Sequence, residues 1–406
     1  MIDNSQLPYT NQLDTIEIVF KITSRCNLDC TYCYYFNGMN PSAHNLPAVI
    51  SKENIKNVVC FIKEGVDELG LKKVNFDFHG GEPLLMNKSR FEWMCKYIND
   101  ELKSFVEFDF TLQTNAIAID DEWIDLFEKY NISIGVSLDG PKEYNDINRI
   151  DLKGHGSYKR TRDGIQKLTA AWKSGRIKSV GALCVINPNH KAEKIYSHFI
   201  NTLGLEGMDF LLPDFTYDDY EPDIGYAEFL RDMFRAWIKF GYNKYEIRTI
   251  NNLLNRLSGN TQQFFSSFSA EEATMTSFSI QTDGTLGLDD TFFSTPMWDK
   301  VENVHVSNTT LKEFLSHPVI SKLDHESRTP PKSCNECCWV NICGGGGLLS
   351  HRYSSKSDNC ANPSIHCNAL KELYSEASAF LLNNGMDPEA LKKVLFSEYE
   401  LNSVTK

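Results

Sequence analysis

The segment Cys26-Asn27-Leu28-Asp29-Cys30-Thr31-Tyr32-Cys33 places three cysteines within eight residues, spaced CxxxCxxC. It follows an apolar, β-branched run, Ile16-Glu17-Ile18-Val19-Phe20-Lys21-Ile22-Thr23, which reads as a strand. Three thiolates crowded just past a strand end suit a metal, and they are too close in sequence for a stable disulfide framework. Zinc in a structural site would want a fourth protein ligand from a second paired knuckle. An iron–sulfur cube held by three cysteines instead leaves one iron open to a further ligand. Three buried thiols without metal are the plain alternative.

The chain of 406 residues is long enough for a large core and for more than one domain. Its net charge of −13 argues against nucleic acid as the main partner. No apolar run approaches the length of a membrane span, so no membrane association is expected. Met1 to Gln6 carry neither a basic nor an apolar signal region, and the stretch before Ile16 leaves no room for a separate leader-binding domain. Twelve cysteines in that setting point to a reducing compartment, the cytoplasm, and to metal ligation. Cys334, Cys337, Cys338, Cys343, Cys360 and Cys367 form a second cluster, while Cys60, Cys95 and Cys184 read as core thiols.

Strands and helices alternate along the first part of the chain. Ser51 caps a helix with apolar positions Ile55, Val58, Val59, Ile62, Val66 and Leu69. Strands are expected at Lys73–Phe78, Glu107–Gln113, Ile132–Leu138, Ser179–Ile186 and Gly207–Leu212. Helices are expected at Lys88–Leu102, Asp121–Tyr130, Tyr158–Lys173, Ala192–Thr202 and Tyr226–Phe240. Such alternation implies a parallel sheet with right-handed crossovers, and functional residues at the C-terminal strand ends. Residues 241–268 show no clear period and read as a bridge.

CxxxCxxC with an aromatic before the last cysteine, followed one strand later by Gly80-Gly81-Glu82-Pro83, resembles the radical S-adenosylmethionine (SAM) enzymes. The resemblance implies a partial (β/α)6 barrel over residues 1–240 and a cluster on Cys26, Cys30 and Cys33 whose open iron binds SAM. Gly80, Gly81, Glu82 and Pro83 would lie beside the SAM amino group. Ser137 and Arg149 would meet its carboxylate and ribose region, and Leu183 its adenine. Tyr32 and Asn115 complete the cofactor-binding set.

Cys334-Asn335-Glu336-Cys337, Cys343, the Gly344–Gly347 run and Cys367 resemble the SPASM extension of that family, here assigned to residues 269–406. A zinc ribbon is the sober alternative. The SPASM pattern implies two auxiliary [4Fe–4S] clusters, but Gly347 and Asp289 stand where it has cysteines. One auxiliary cluster, on Cys334, Cys337, Cys343 and Cys367, is therefore expected, with Cys338 and Cys360 left over. In sulfatase-maturing relatives an aspartate beside the hairpin cysteine is the general base. Asp290 occupies that place, and Asp289 and Asp214 are the next candidates.

Asp209 to Asp214, the reduced cysteine set, His351-Arg352 and Asn362 to Cys367 resemble the peptide maturases that form three-residue cyclophanes. That resemblance implies removal of a Cβ hydrogen and a carbon–carbon bond to an aromatic side chain. It also implies a precursor peptide with a leader and an external one-electron reductant. Thioether-forming and formylglycine-forming SPASM maturases are the rivals within the chemistry. A non-catalytic iron–sulfur or zinc scaffold is the rival outside it.

Overall fold

The computed structural model describes residues 13–219, 225–259 and 275–396. The described residues fall into two compact units. The first holds residues 13–186, 194–214 and 275–323.

Six strands of the first unit alternate with helices: β1 (Thr15–Thr23), β2 (Lys73–Gly80), β3 (Glu107–Thr114), β4 (Ser133–Ser137), β5 (Ser179–Val185) and β6 (Gly207–Leu211). Each is hydrogen-bonded in parallel to the next in sequence. β1 has a second parallel neighbour, the strand Met275–Ile280, in register from Thr15↔Met275 to Phe20↔Ile280. That strand turns back at Gly284, whose φ is +95°, to pair antiparallel with Leu286–Gly287. With neighbours on both edges, β1 is buried almost throughout, which explains its nearly continuous apolar sequence.

Local signals set the helix bounds. Ser51 Oγ accepts from Asn54 N at 2.9 Å to start α1 (Lys52–Leu69), and Gly70 ends it in the left-handed conformation. Asn87 caps α2 (Lys88–Leu102), and Asp120 caps α3 (Asp121–Lys129). Phe20, Phe76, Phe78 and Phe91 are fully buried and in ring contact along the sheet face. Each contributes about 1.5–3 kcal/mol of apolar burial.

The second unit contains helices Tyr226–Gly241, Arg248–Leu257, Cys367–Asn383 and Pro388–Phe396. Phe234 and Trp237 both pack on Phe380, with ring centroids 5.8 Å apart in each pair.

This grouping differs from a linear division at residues 240 and 269. The amphipathic helix at Tyr226 has its apolar face covered by the helix that follows Cys367. Residues 275–323 join the barrel strands because Met275–Ile280 pairs with β1. The region expected to be a featureless bridge contains the helix Arg248–Leu257, which buries Ile250, Leu253 and Leu257; its part from 260 to 268 lies outside the described residues.

Candidate active site

The cysteine loop leaves β1 at Thr23 and is tied by backbone bonds to two other segments. Asp29 N donates to Ile150 O at 2.8 Å, and Thr31 N donates to Asn148 O at 3.0 Å. Gly81 N and Glu82 N donate to Thr23 O and Arg25 O. A Cβ at Gly81 would sit 2.4 Å from the Arg25 carbonyl oxygen, and one at Gly80 would sit 2.1 Å from that of Thr23. Glycine is thus required because the two loops touch backbone to backbone.

Cys26, Cys30 and Cys33 fit an iron–sulfur cluster by their donor chemistry. Burial pushes the Cys26 thiol up to about 12, and the nearby Cys30 and Cys33 sulfurs add to the rise. Leu28 N already donates to Cys26 Sγ at 3.4 Å, as amides do to thiolates. No disulfide joins any of these cysteines to another. Binding a cluster takes thiolates, so it would displace protons from these closely spaced sulfurs.

The motif residues that follow form one network with this loop. Glu82 is 1 % exposed, and its carboxylate accepts from Leu84 N, Thr114 Oγ1 and Asn115 N. Three acceptor positions are filled, so much of its work is to tie β2 to β3. Asn115 Nδ2 donates to Asn27 Oδ1 at 2.7 Å, reaching the cysteine loop itself. Pro83 opens the 3₁₀ turn behind Glu82.

Arg149, 8 % exposed, donates to Tyr32 OH at 2.8 Å, and Tyr32 OH donates to Asp139 Oδ2 at 2.6 Å. Arg149 and Tyr32 are thus held to each other within the loop network, with the Arg149 Nε unpartnered. Ser137 Oγ, at the end of β4, accepts from Gln113 Nε2 at 2.6 Å. Leu183 lies half-buried on β5.

The three candidate acids are brought together with side chains that sequence reasoning missed. Lys21, on β1, is 0 % exposed and donates to Asp290 Oδ2 at 2.7 Å. It also donates to Tyr34 OH at 2.8 Å and lies 3.1 Å from His79 Nδ1. Tyr34 OH donates to Asp290 as well. Burial alone would raise the Asp290 carboxyl, but the Lys21 charge and these hydrogen bonds override it and hold it at about 2. Burial, then the charges of Asp290 and Asp289, push Asp214 the other way, to about 7. Asp289 accepts from Thr291 N and Thr291 Oγ1, capping the turn. A lysine inside an otherwise apolar strand was the available signal for this cluster.

In the second unit Cys334, Cys337, Cys343 and Cys367 also fit a cluster. Burial raises Cys334, with Cys367 and Cys337 adding to it; burial raises Cys343 to about 11, with Cys367 and Cys334 adding. Four sulfurs that repel one another electrostatically are near neighbours. Arg352 lies beside them and donates to the carbonyls of Cys360, Asn362, Gly344 and Thr329. Cys338 is exposed, and Cys360 is buried with its N–H on Glu326 Oε2 at 2.8 Å.

Residues 20–197 match the Radical SAM superfamily. A parallel α/β sheet carrying this cysteine loop has the radical SAM fold, and the family match falls on the residues that build it. It is similar to the anaerobic sulfatase-maturating enzymes. It is 25 % identical over 374 residues to the cysteine-type enzyme of Clostridium perfringens (strain 13 / Type A), covering 89 % of this chain and 95 % of that one. The serine-type enzyme of Bacteroides thetaiotaomicron is 27 % identical over 259 residues, 58 % of this chain and 60 % of its own. The solved structure of native anSMEcpe with bound AdoMet and Kp18Cys peptide matches with a TM-score of 0.75 at 23 % identity, covering 91 % of this chain and 99 % of that chain. Among the described residues no helix is long and apolar enough to cross a membrane.

Proposed function

We propose that this enzyme is a maturase that oxidises a side chain of a peptide or protein segment at Cβ, in a reducing cytoplasm, with an external one-electron reductant. The observation that carries the reading is the group Lys21, Asp290, Asp289 and Asp214, gathered at the strand ends that also carry Cys26, Cys30 and Cys33 and the Gly80–Glu82 loop. When bound, the cluster and SAM supply a 5′-deoxyadenosyl radical. The chain's own residues place the cofactor loop, through Glu82, Asn115 and Arg149, and hold acidic groups ready for a proton.

The similarity to sulfatase-maturating enzymes favours conversion of a cysteine or serine to formylglycine. One observation favours the second reading, cyclophane formation on a leader-bearing precursor peptide. Asp289 and Gly347 replace cysteines of the two-cluster pattern, leaving one gathered set, Cys334, Cys337, Cys343 and Cys367.

The test uses anaerobically reconstituted enzyme with SAM, reductant and two peptides. One carries a sulfatase-type cysteine or serine; the other carries an aromatic residue two positions before an aliphatic or polar one. An aldehyde that reacts with a hydrazide supports formylglycine. A product lighter by two hydrogens without an aldehyde supports the cyclophane. SAM cleavage with no change in any peptide would overturn the maturase reading.

A further inference from the structure

Six polar side chains from five elements converge at this end of the sheet. Lys21 comes from β1, Tyr34 from the cysteine loop, His79 from the end of β2, Asp214 from beyond β6, and Asp289 and Asp290 from the turn after Leu286–Gly287. An ammonium has three protons. Those of Lys21 face Asp290 Oδ2, Tyr34 OH and His79 Nδ1. His79 Nδ1 also accepts from Gly80 N at 2.9 Å, so this hydrogen-bond pattern assigns the imidazole proton to Nε2. Burial and the Lys21 charge lower His79 to about 4, leaving it neutral. Asp290 is therefore locked by two donors, and Asp289 is occupied by Thr291. Asp214 differs: no hydrogen bond ties its side chain to any described residue, yet it lies within the field of Asp290, Asp289 and Lys21.

We propose that Asp214 is the group that takes the substrate proton, and that Lys21 is the positioning residue that imposes this choice by holding Asp290 as a fixed anion. The inference rests on the maturase reading. Asp290, held at about 2, is a weak base at neutral pH, whereas a carboxyl near 7 is matched to proton transfer there. The charged and titratable groups facing Asp214 are Asp290 and Asp289 from the turn, Lys21 from β1 and Tyr34 from the cysteine loop.

The step balances as follows. The Cβ–H bond of the substrate breaks and its hydrogen atom goes to the deoxyadenosyl carbon. The carbon radical left behind loses one electron to an oxidised iron–sulfur cluster and one proton to the Asp214 carboxylate. With a thiol substrate the S–H bond breaks and a C=S bond forms, which water converts to the aldehyde and hydrogen sulfide. With an aromatic substrate a new C–C bond has formed first, and the ring C–H supplies the proton.

Asp214→Asn should still produce 5′-deoxyadenosine carrying deuterium from a Cβ-labelled peptide, while modified peptide falls about 10²–10⁴-fold. The acid limb of product formation should move to lower pH in Asp290→Asn, which removes a negative neighbour of Asp214. It should move to higher pH in Lys21→Met, which removes a positive one. A merely structural role moves neither limb. A substrate-free reading completes the test: infrared titration of the reconstituted enzyme should show a carboxylic acid band that disappears on raising the pH through about 7. That band should be missing in Asp214→Asn and present in Asp290→Asn. Undiminished product from Asp214→Asn, or a band lost with Asp290 instead, would overturn the proposal. A band assigned to Asp214 without any peptide turnover would overturn only the maturase reading.

Discussion

Lys21 and Asp290 stand 269 positions apart in sequence and 2.7 Å apart in space, with the lysine wholly enclosed. The rings of Tyr34 and Tyr35 lie 5.2 and 5.0 Å from its ammonium, completing the enclosure. Removing one partner of a buried pair leaves the other charged and uncompensated. Lys21→Met is therefore expected to destabilise the first unit by about 3–5 kcal/mol. Lys21→Met with Asp290→Leu should recover most of that loss, since both charges leave together. Denaturant unfolding of the three proteins measures it; equal losses in the single and double variants would refute the pairing energy.

Gly81→Ala should weaken SAM binding at least tenfold while leaving the iron content unchanged. The added methyl would meet the Arg25 carbonyl at 2.4 Å and push the Glu82 loop away from the cysteine loop. Equilibrium binding of SAM to the reconstituted variant provides the check.

The raised carboxyl of Asp214 has a stability consequence with a definite sign. Its folded value, about 7, lies above its ordinary value of 3.8. The stabilising contribution is therefore complete below the ordinary value and is lost as pH rises through about 7. Asp214→Asn should accordingly be more stable than the parent by about 1–3 kcal/mol at pH 8, with the advantage shrinking as pH falls toward about 5. Urea unfolding across that range decides; a constant difference would show that Asp214 does not titrate there.

Replacing Cys26, Cys30 and Cys33 together by alanine should lower iron from about eight to about four per chain and abolish 5′-deoxyadenosine formation. Iron and sulfide analysis of both proteins gives the result. A parent value near twelve would instead mean that Cys338 and Cys360 help to build a further cluster.

Arg352→Lys should destabilise the second unit by about 2–4 kcal/mol, because a lysine cannot reach four carbonyls at once. Those carbonyls belong to Cys360, Asn362, Gly344 and Thr329, so the cysteine loops should loosen with it. Loss of iron on brief exposure to chelator, faster than in the parent, is the expected sign.

The alternation of strands and helices was legible because its signals are local. Lys88–Leu102 and Tyr158–Lys173 carry helical periodicity throughout, and the observed bounds of both helices agree with it. Met275–Ile280 left no such trace: its partner strand begins at Thr15, and parallel pairing over that separation has no mark in nearby residues. The cofactor loops were readable as motifs, but the partners of their side chains were not. The bonds from Arg149 to Tyr32 and from Thr114 and Asn115 to Glu82 join segments distant in sequence, so no motif names them. Lys21 stood out in an apolar strand, but the residue that explains it lies 269 positions further along the chain.

The pairing of β1 with Met275–Ile280 also dictates an order of events in synthesis. β1 and its cysteine loop leave the ribosome early, and β2 covers one edge soon after. The other edge stays open until residue 280 has emerged, and Lys21 lacks its carboxylate until residue 290 has followed. For most of translation the nascent chain thus presents three thiols beside a strand with one open edge, a species prone to oxidation and to edge-to-edge association. Truncated chains ending before the late strand should therefore accumulate as aggregates.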